Sequence, residues 1–112
     1  NLTTYTAQEA GNVGLGQRGS IFVAGTTAVT CLPASTVFVA IQFIEDTVFN
    51  SDATGLIPES AQLYPSSDGA STSIDADGGV ATNSETFPQG MTIFGRWTGF
   101  KLASGACIAY IG

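Results

Sequence analysis

The segment from Thr36 to Ile44 restricts the fold of this chain more than any other. Alternate positions place one set of side chains together, namely Val37, Val39, Ile41 and Phe43. The opposite set is Phe38, Ala40, Gln42 and Ile44, and it is mostly apolar too. A strand that is apolar on both faces is typical of a sheet centre, or of a sheet covered by a neighbouring subunit. The segment therefore predicts a central strand that ends at the Glu45–Asp46 pair.

Other short apolar runs also predict strands, and no segment has the apolar spacing of an amphipathic helix. The runs are residues 2–6, 20–24, 27–32, 47–49, 91–102 and 106–111. The last two are joined by residues 103–105, which contain a Ser-Gly pair that favours a tight turn. We therefore predict a C-terminal hairpin in which Leu102 faces Cys107 and Phe100 faces Ala109.

The whole chain, residues 1–112, is short enough to form a single domain. Residues 50–87 are rich in Ser, Asp, Gly, Ala and Pro, and they predict a loop-rich, surface-exposed segment. Neither flank of that segment has a complete core of its own. The predicted fold is therefore one all-β domain, an antiparallel β-sandwich or jelly-roll-like barrel with the C-terminal hairpin in its core.

The charge pattern argues against nucleic acid and membrane partners. Charged residues make up only 11% of the chain, against roughly 25% in typical soluble domains, which favours a surface built for protein contact. The net charge is −6, and three scattered cations, Arg18, Arg96 and Lys101, do not form a phosphate-binding patch. The uncharged stretch 19–44 is interrupted by Gly, Pro, Thr and Ser, so it does not predict a membrane span. No signal peptide is recognisable either.

The residue types needed for catalysis are scarce. The chain has no histidine, which removes the usual general base and the commonest zinc ligand. Cys31 and Cys107 lie among apolar residues and are predicted to be buried free thiols, with a disulfide as the alternative. Glu45 and Asp46 are adjacent, so on a strand they would point to opposite faces. We expect no enzyme activity, no catalytic residues and no metal or cofactor site.

Two glycine-containing motifs have competing interpretations. Residues 14–19 fit the dinucleotide pattern G-x-G-x-x-G, but a strand-like run follows them where that motif needs a helix. Residues 75–79 resemble half of a calcium loop, yet Glu85 falls one residue short of the position that an EF-hand acid occupies. A solvated turn is the simpler interpretation. A looser calcium site that includes Asp68 is the alternative.

Aromatic residues surround Arg96 on the predicted C-terminal strand. Trp97 is the one tryptophan of the chain, and it lies between Phe94 and Phe100. One interpretation is a core tryptophan beside an arginine at the rim. The other is a set of interface anchors, since Trp and Arg are enriched at binding hot spots. The candidate anchors are Phe94, Arg96, Trp97 and Phe100.

Two stretches resemble a known family. Residues 36–51 (TVFVAIQFIEDTVFNS) and 87–112, with the elements GRWT, LASG and AYIG, are similar to small structural proteins of tailed bacteriophages. The resemblance implies a capsid decoration (cement) protein that binds major capsid protein subunits as a homotrimer on the virion surface, after assembly in the host cytoplasm. A tail fibre, knob or receptor-binding module is the alternative. The family implies no catalytic residue to transfer to this chain.

Overall fold

The computed structural model of the chain describes residues 19–60, 63–67, 80–83 and 85–112. These residues form β-strands joined by turns, without a helix among them. In chain order the strands are β1 (Ser20–Val23), β2 (Val29–Thr30), β3 (Phe38–Phe43), β4 (Thr47–Phe49), β5 (Leu56–Pro58), β6 (Thr86–Phe87), β7 (Thr92–Phe100), β8 (Leu102–Ser104) and β9 (Cys107–Ile111). The predicted all-β, sandwich-like class is confirmed.

The described strands form two antiparallel sheets. The larger sheet has the order β1-β9-β3-β7-β2, and β5 pairs with β7 as well. The smaller sheet has the order β6-β4-β8. Because β3 lies between β9 and β7, the predicted central strand is confirmed.

The alternation predicted for residues 36–44 is interrupted within β3. The pairing of β3 shifts register between Phe38 and Ala40, against both β7 and β9. Phe38 lies in the core before this irregularity, and Ile41 and Phe43 lie in the core after it. The predicted grouping of Val39 with Ile41 and Phe43 is therefore wrong, because a bulge displaces the two-residue period.

Phenylalanine rings fill the space between the two sheets. Phe43 of the larger sheet stacks on Phe87 of the smaller sheet, with ring centroids 5.0 Å apart. Phe49 meets both rings edge to face, and it also contacts Phe100. Phe100 in turn meets Phe38 at 5.4 Å. Such pairs contribute about 0.5–1.5 kcal/mol each beyond the burial of their area, so the rings hold the two sheets together.

The predicted C-terminal hairpin is not formed. Leu102 pairs with Phe49 in the smaller sheet, whereas Cys107 pairs with Val23 and Phe43 in the larger sheet. Strand β9 lies between β1 and β3, so neither of its edges is open to β8. The turn residue behaves as expected, since Gly105 has a φ of +96°. It carries the chain from one sheet to the other.

The segment predicted to be a surface loop, residues 50–87, contributes to the core. It contains β5 and β6, and Ser67 within it is fully buried. The Ser67 hydroxyl accepts a hydrogen bond from the Leu56 N–H at 2.9 Å and donates to the carbonyl of Asp52. The predicted strand at residues 2–6, the glycine motif up to residue 18, and the possible calcium loop at 75–79 lie outside the described residues.

Both cysteines are buried free thiols, as predicted. Burial raises the pKa of the Cys107 thiol to about 12. The Cys31 sulfur lies 3.2 Å from the Thr36 hydroxyl, within hydrogen-bonding distance. Each thiol fills space in the core as a small apolar group.

Candidate protein-binding face

The register of the larger sheet divides its side chains between two faces. Residues that pair across neighbouring strands project to the same side. Two rows project toward the core side, namely Ile21–Ala109–Ile41–Ile93 and Val23–Cys107–Phe43, and Ile21 on the edge strand is 38% exposed. Two rows project to the other side, namely Ser20–Tyr110–Ala40–Phe94 and Phe22–Ile108–Gln42–Thr92, and the small side chain of Ala40 in the middle of the first is only 1% exposed. We call these last two rows the outer face.

The outer face exposes two large aromatic rings. Phe22 is 61% exposed and Phe94 is 63% exposed, whereas the core phenylalanines Phe38 and Phe43 are at most 1% exposed. Ile108 lies between the two rings on β9 and is half-buried. Exposed apolar area of this kind is unfavourable in water and marks surfaces that another molecule covers.

No side chain in the two rows of the outer face is charged. Polar character near its middle comes from Tyr110, whose hydroxyl donates a hydrogen bond to the Gln42 side-chain carbonyl at 3.1 Å. The two residues lie on neighbouring strands, so the bond ties β9 to β3 across the face. Aromatic rings around a satisfied polar pair are typical of the central part of a protein interface.

An ion pair flanks the outer face at the β5 end of β7. The guanidinium of Arg96 donates from Nε and Nη2 to the two carboxylate oxygens of Glu59, at 2.7 and 3.0 Å. The same pairing raises the pKa of Arg96 and lowers the pKa of Glu59, chiefly through the hydrogen bond between them. Both side chains are exposed, so Arg96 is held in a fixed position where a partner can reach it.

The structure separates the four predicted interface anchors into two pairs. Phe94 and Arg96 are exposed and lie at the surface. Trp97 and Phe100 are fully buried, and the Trp97 indole N–H donates to the Pro65 carbonyl at 3.0 Å. Their prediction as anchors is wrong for this chain, because residues 63–67 and the aromatic core leave no surface of either ring exposed.

Sequence reasoning missed three members of the outer face, namely Phe22, Ile108 and Tyr110. Ile108, for example, lies between the buried residues Cys107 and Ala109. That alternation is a recognisable signal for one solvent-facing side of a strand. It was obscured because strands β1 and β9 are apolar at nearly every position.

A second surface feature is a depression of about 290 Å³ between the edge strands β1 and β2. Its lining is mostly apolar and comprises Ser20, Ile21, Val29, Thr30, Leu32, Phe38 and Ile111. The lining contains no carboxylate, amine or thiol, so it offers no acid or base for chemistry. It is a space for an apolar group.

Acidic residues of the described part do not form a metal centre. No group of three or more Cys, Asp or Glu side chains lies close enough to hold an ion within residues 19–60, 63–67, 80–83 and 85–112. Glu45 and Asp46 lie in the turn between β3 and β4. The Asp46 carboxylate accepts the Gln89 N–H at 2.8 Å, which fixes that turn to the one before β7.

Comparison with known proteins adds no further assignment. No family model, curated protein or solved structure matches this chain. Among the residues that the structure describes, there is no helix long and apolar enough to cross a membrane.

Proposed function

We propose that this chain is a structural protein of a tailed-bacteriophage virion, a decoration protein that stabilises the capsid by binding major capsid protein subunits through its outer face. The observation that carries the proposal is the pair of exposed rings on the uncharged rows of the outer face, Phe22 and Phe94. The resemblance of residues 36–51 and 87–112 to phage structural proteins supplies the class of partner. The chain acts by binding and carries no catalytic role.

The proposed binding energy comes mainly from apolar area. Covering one exposed phenylalanine side chain contributes about 1.5–3 kcal/mol. Phe22 and Phe94 lie on β1 and β7, on either side of β9 and β3, so a partner that covers both also covers the strands between them. Contact spread over four strands suits a protein that spans the joint between two capsid subunits.

The rigidity of the face supports the same role. Strand β3 is paired on both edges, and the Phe43, Phe49 and Phe87 rings pack behind the sheet. A face that does not reorganise on binding loses little conformational entropy, which favours tight association. We propose that the chain occupies the capsid as a homotrimer, so that three such faces act together.

A binding assay with empty shells, assembled from the major capsid protein of the same phage, tests the proposal. We expect the wild-type chain to bind the shells, and Phe22→Ser and Phe94→Ser each to weaken binding about 10–100-fold. Val48→Ser is the matched control. Val48 projects from the smaller sheet, on the opposite side of the molecule from the outer face, and pairs with Thr86 and Ser104.

Three outcomes would contradict the proposal in different ways. If Phe22→Ser and Phe94→Ser bound the shells as tightly as the wild-type chain, the outer face would be excluded as the binding site. Binding to host cells or glycans without binding to shells would favour the tail fibre or receptor-binding alternative. If light scattering showed a monomer, both for the free chain and for the chain bound to shells, the proposed homotrimer would be excluded.

A further inference from the structure

The charges around the outer face are arranged asymmetrically. We infer that the partner surface carries basic side chains at the end of the outer face next to the Glu45–Asp46 turn, and that this contact sets the orientation of docking. The inference rests on the proposed function and specifies the chemistry of the partner. The inference is based on a difference among the charged residues that the structure describes: some have a partner of opposite charge within the chain, and others do not.

The Glu45–Asp46 turn adjoins the outer face directly. Gln42 belongs to the row of the outer face nearest the end of β3. Ile44, two residues further, is 36% exposed, and the exposed residues Glu45 and Asp46 follow it. A partner that covers Phe22 and its row therefore reaches these two carboxylates at its margin.

The negative charge of this turn has no cationic partner in the described part of the chain. The carboxylate of Glu45 makes no hydrogen bond or ion pair with the residues that the structure describes. Asp46 accepts only the neutral Gln89 N–H, which leaves its charge uncompensated. Two adjacent carboxylates attract basic groups, and a low-dielectric partner surface strengthens that attraction.

Charges at the opposite end of the molecule are compensated locally. Arg96 is held by both carboxylate oxygens of Glu59. Lys101 interacts with Asp52 and helps to lower the pKa of that carboxyl, although the Thr54 hydrogen bonds lower it more. Of the charges that the structure describes, only those at the Glu45–Asp46 end of the outer face therefore gain from a basic partner. A partner turned around by 180° would lose that contact.

The association rate of the chain with empty capsid shells, measured at low and high NaCl, tests this inference. Contacts between charges at an interface margin act mainly on the association rate and are screened by salt. We expect Glu45→Gln to slow association about threefold at low salt, and Glu45→Gln with Asp46→Asn to slow it about tenfold. At high salt, both variants should approach the wild-type rate.

The matched control is Glu85→Gln. Glu85 is exposed and precedes β6 in the smaller sheet, so its substitution changes the net charge equally without touching the outer face. Equal slowing by Glu45→Gln and Glu85→Gln would overturn the inference, because only the net charge would then matter. Association with shells that depends on Phe22 but not on salt would overturn it too, and would leave the proposed function intact. If the shells bound neither the variants nor the wild-type chain, both the inference and the proposed function would be excluded.

Discussion

The two faces of the larger sheet use the same residue type for different purposes. Phe38 and Phe43 project inward and are buried among other rings, whereas Phe22 and Phe94 project outward and are more than half exposed. All four lie on paired strands of one sheet. The inner rings stabilise the fold of the single chain. The outer rings do not stabilise the fold of the single chain. Their apolar area contributes favourable free energy only when a partner covers them.

The largest effect that separates the two faces is expected from a matched pair of substitutions. Phe43→Ala should lower the free energy of unfolding by about 3–5 kcal/mol, because it leaves a cavity beside Phe49 and Phe87. Phe94→Ala should change it by no more than about 0.5 kcal/mol. Urea unfolding of both variants measures the difference. A similar loss of stability in both variants would mean that Phe94 is part of the core, contrary to its exposed position on the outer face.

Cys107 belongs to the inner face, and its ionisation is expected to have a smaller, pH-dependent effect on the free energy of unfolding. Its folded pKa is raised from 9.0 to about 12 by burial. The thiol therefore binds its proton more tightly in the folded state than in the unfolded state. The stability that it contributes is complete below pH 9 and is lost as the pH rises toward 12.

A comparison with Cys107→Ala isolates that contribution from other groups that titrate at high pH. The free energy of unfolding should fall more steeply with pH above 9 in the wild-type chain than in the variant. Measurements at several alkaline pH values give the two slopes. Identical slopes would show that Cys107 is accessible to solvent in the folded state.

The smallest effect is expected on the outer face. Tyr110→Phe removes the hydrogen bond to Gln42 but keeps the ring. Water can replace that bond at the surface, so the free energy of unfolding should change by no more than about 0.5 kcal/mol. Urea unfolding measures this change, and Phe43→Ala provides the large reference value. A loss of several kcal/mol would show that the face is closed off from water in the single chain.

The four candidate anchors show how far local sequence reasoning reaches. Phe94, Arg96, Trp97 and Phe100 are predicted together as candidate anchors, but only Phe94 and Arg96 are exposed, whereas Trp97 and Phe100 are buried. Arg96 is exposed and Trp97 is buried, as the ordinary alternation of a strand requires. The alternation of burial fails at the end of β7, where Gly99 and Phe100 are both buried. The burial of Phe100 depends on its contacts with Phe38 and Phe49, which are distant in the chain and leave little trace in local sequence.

The C-terminal turn illustrates the same limit. A Ser-Gly pair between apolar runs favours a turn, and Gly105 indeed has a positive φ. A Cβ at this position would lie 2.6 Å from the Asp46 carbonyl oxygen, so close packing requires glycine as well. The sequence does not reveal that the strands on either side of this turn pair with different partners. Strand β8 pairs with β4 and strand β9 pairs with β3, and both partners are distant in the chain.

The sequence by itself determined the all-β class, the central position of residues 38–43, the buried thiols and the acidic, cation-poor character of the chain. These follow from side-chain chemistry and the two-residue period, which are local properties. Only the tertiary structure decided which strands pair, which rings are inside, and that Phe22 and Phe94 belong to one uncharged face. Those outcomes depend on contacts between residues far apart in the chain, where competing pairings satisfy the same local preferences.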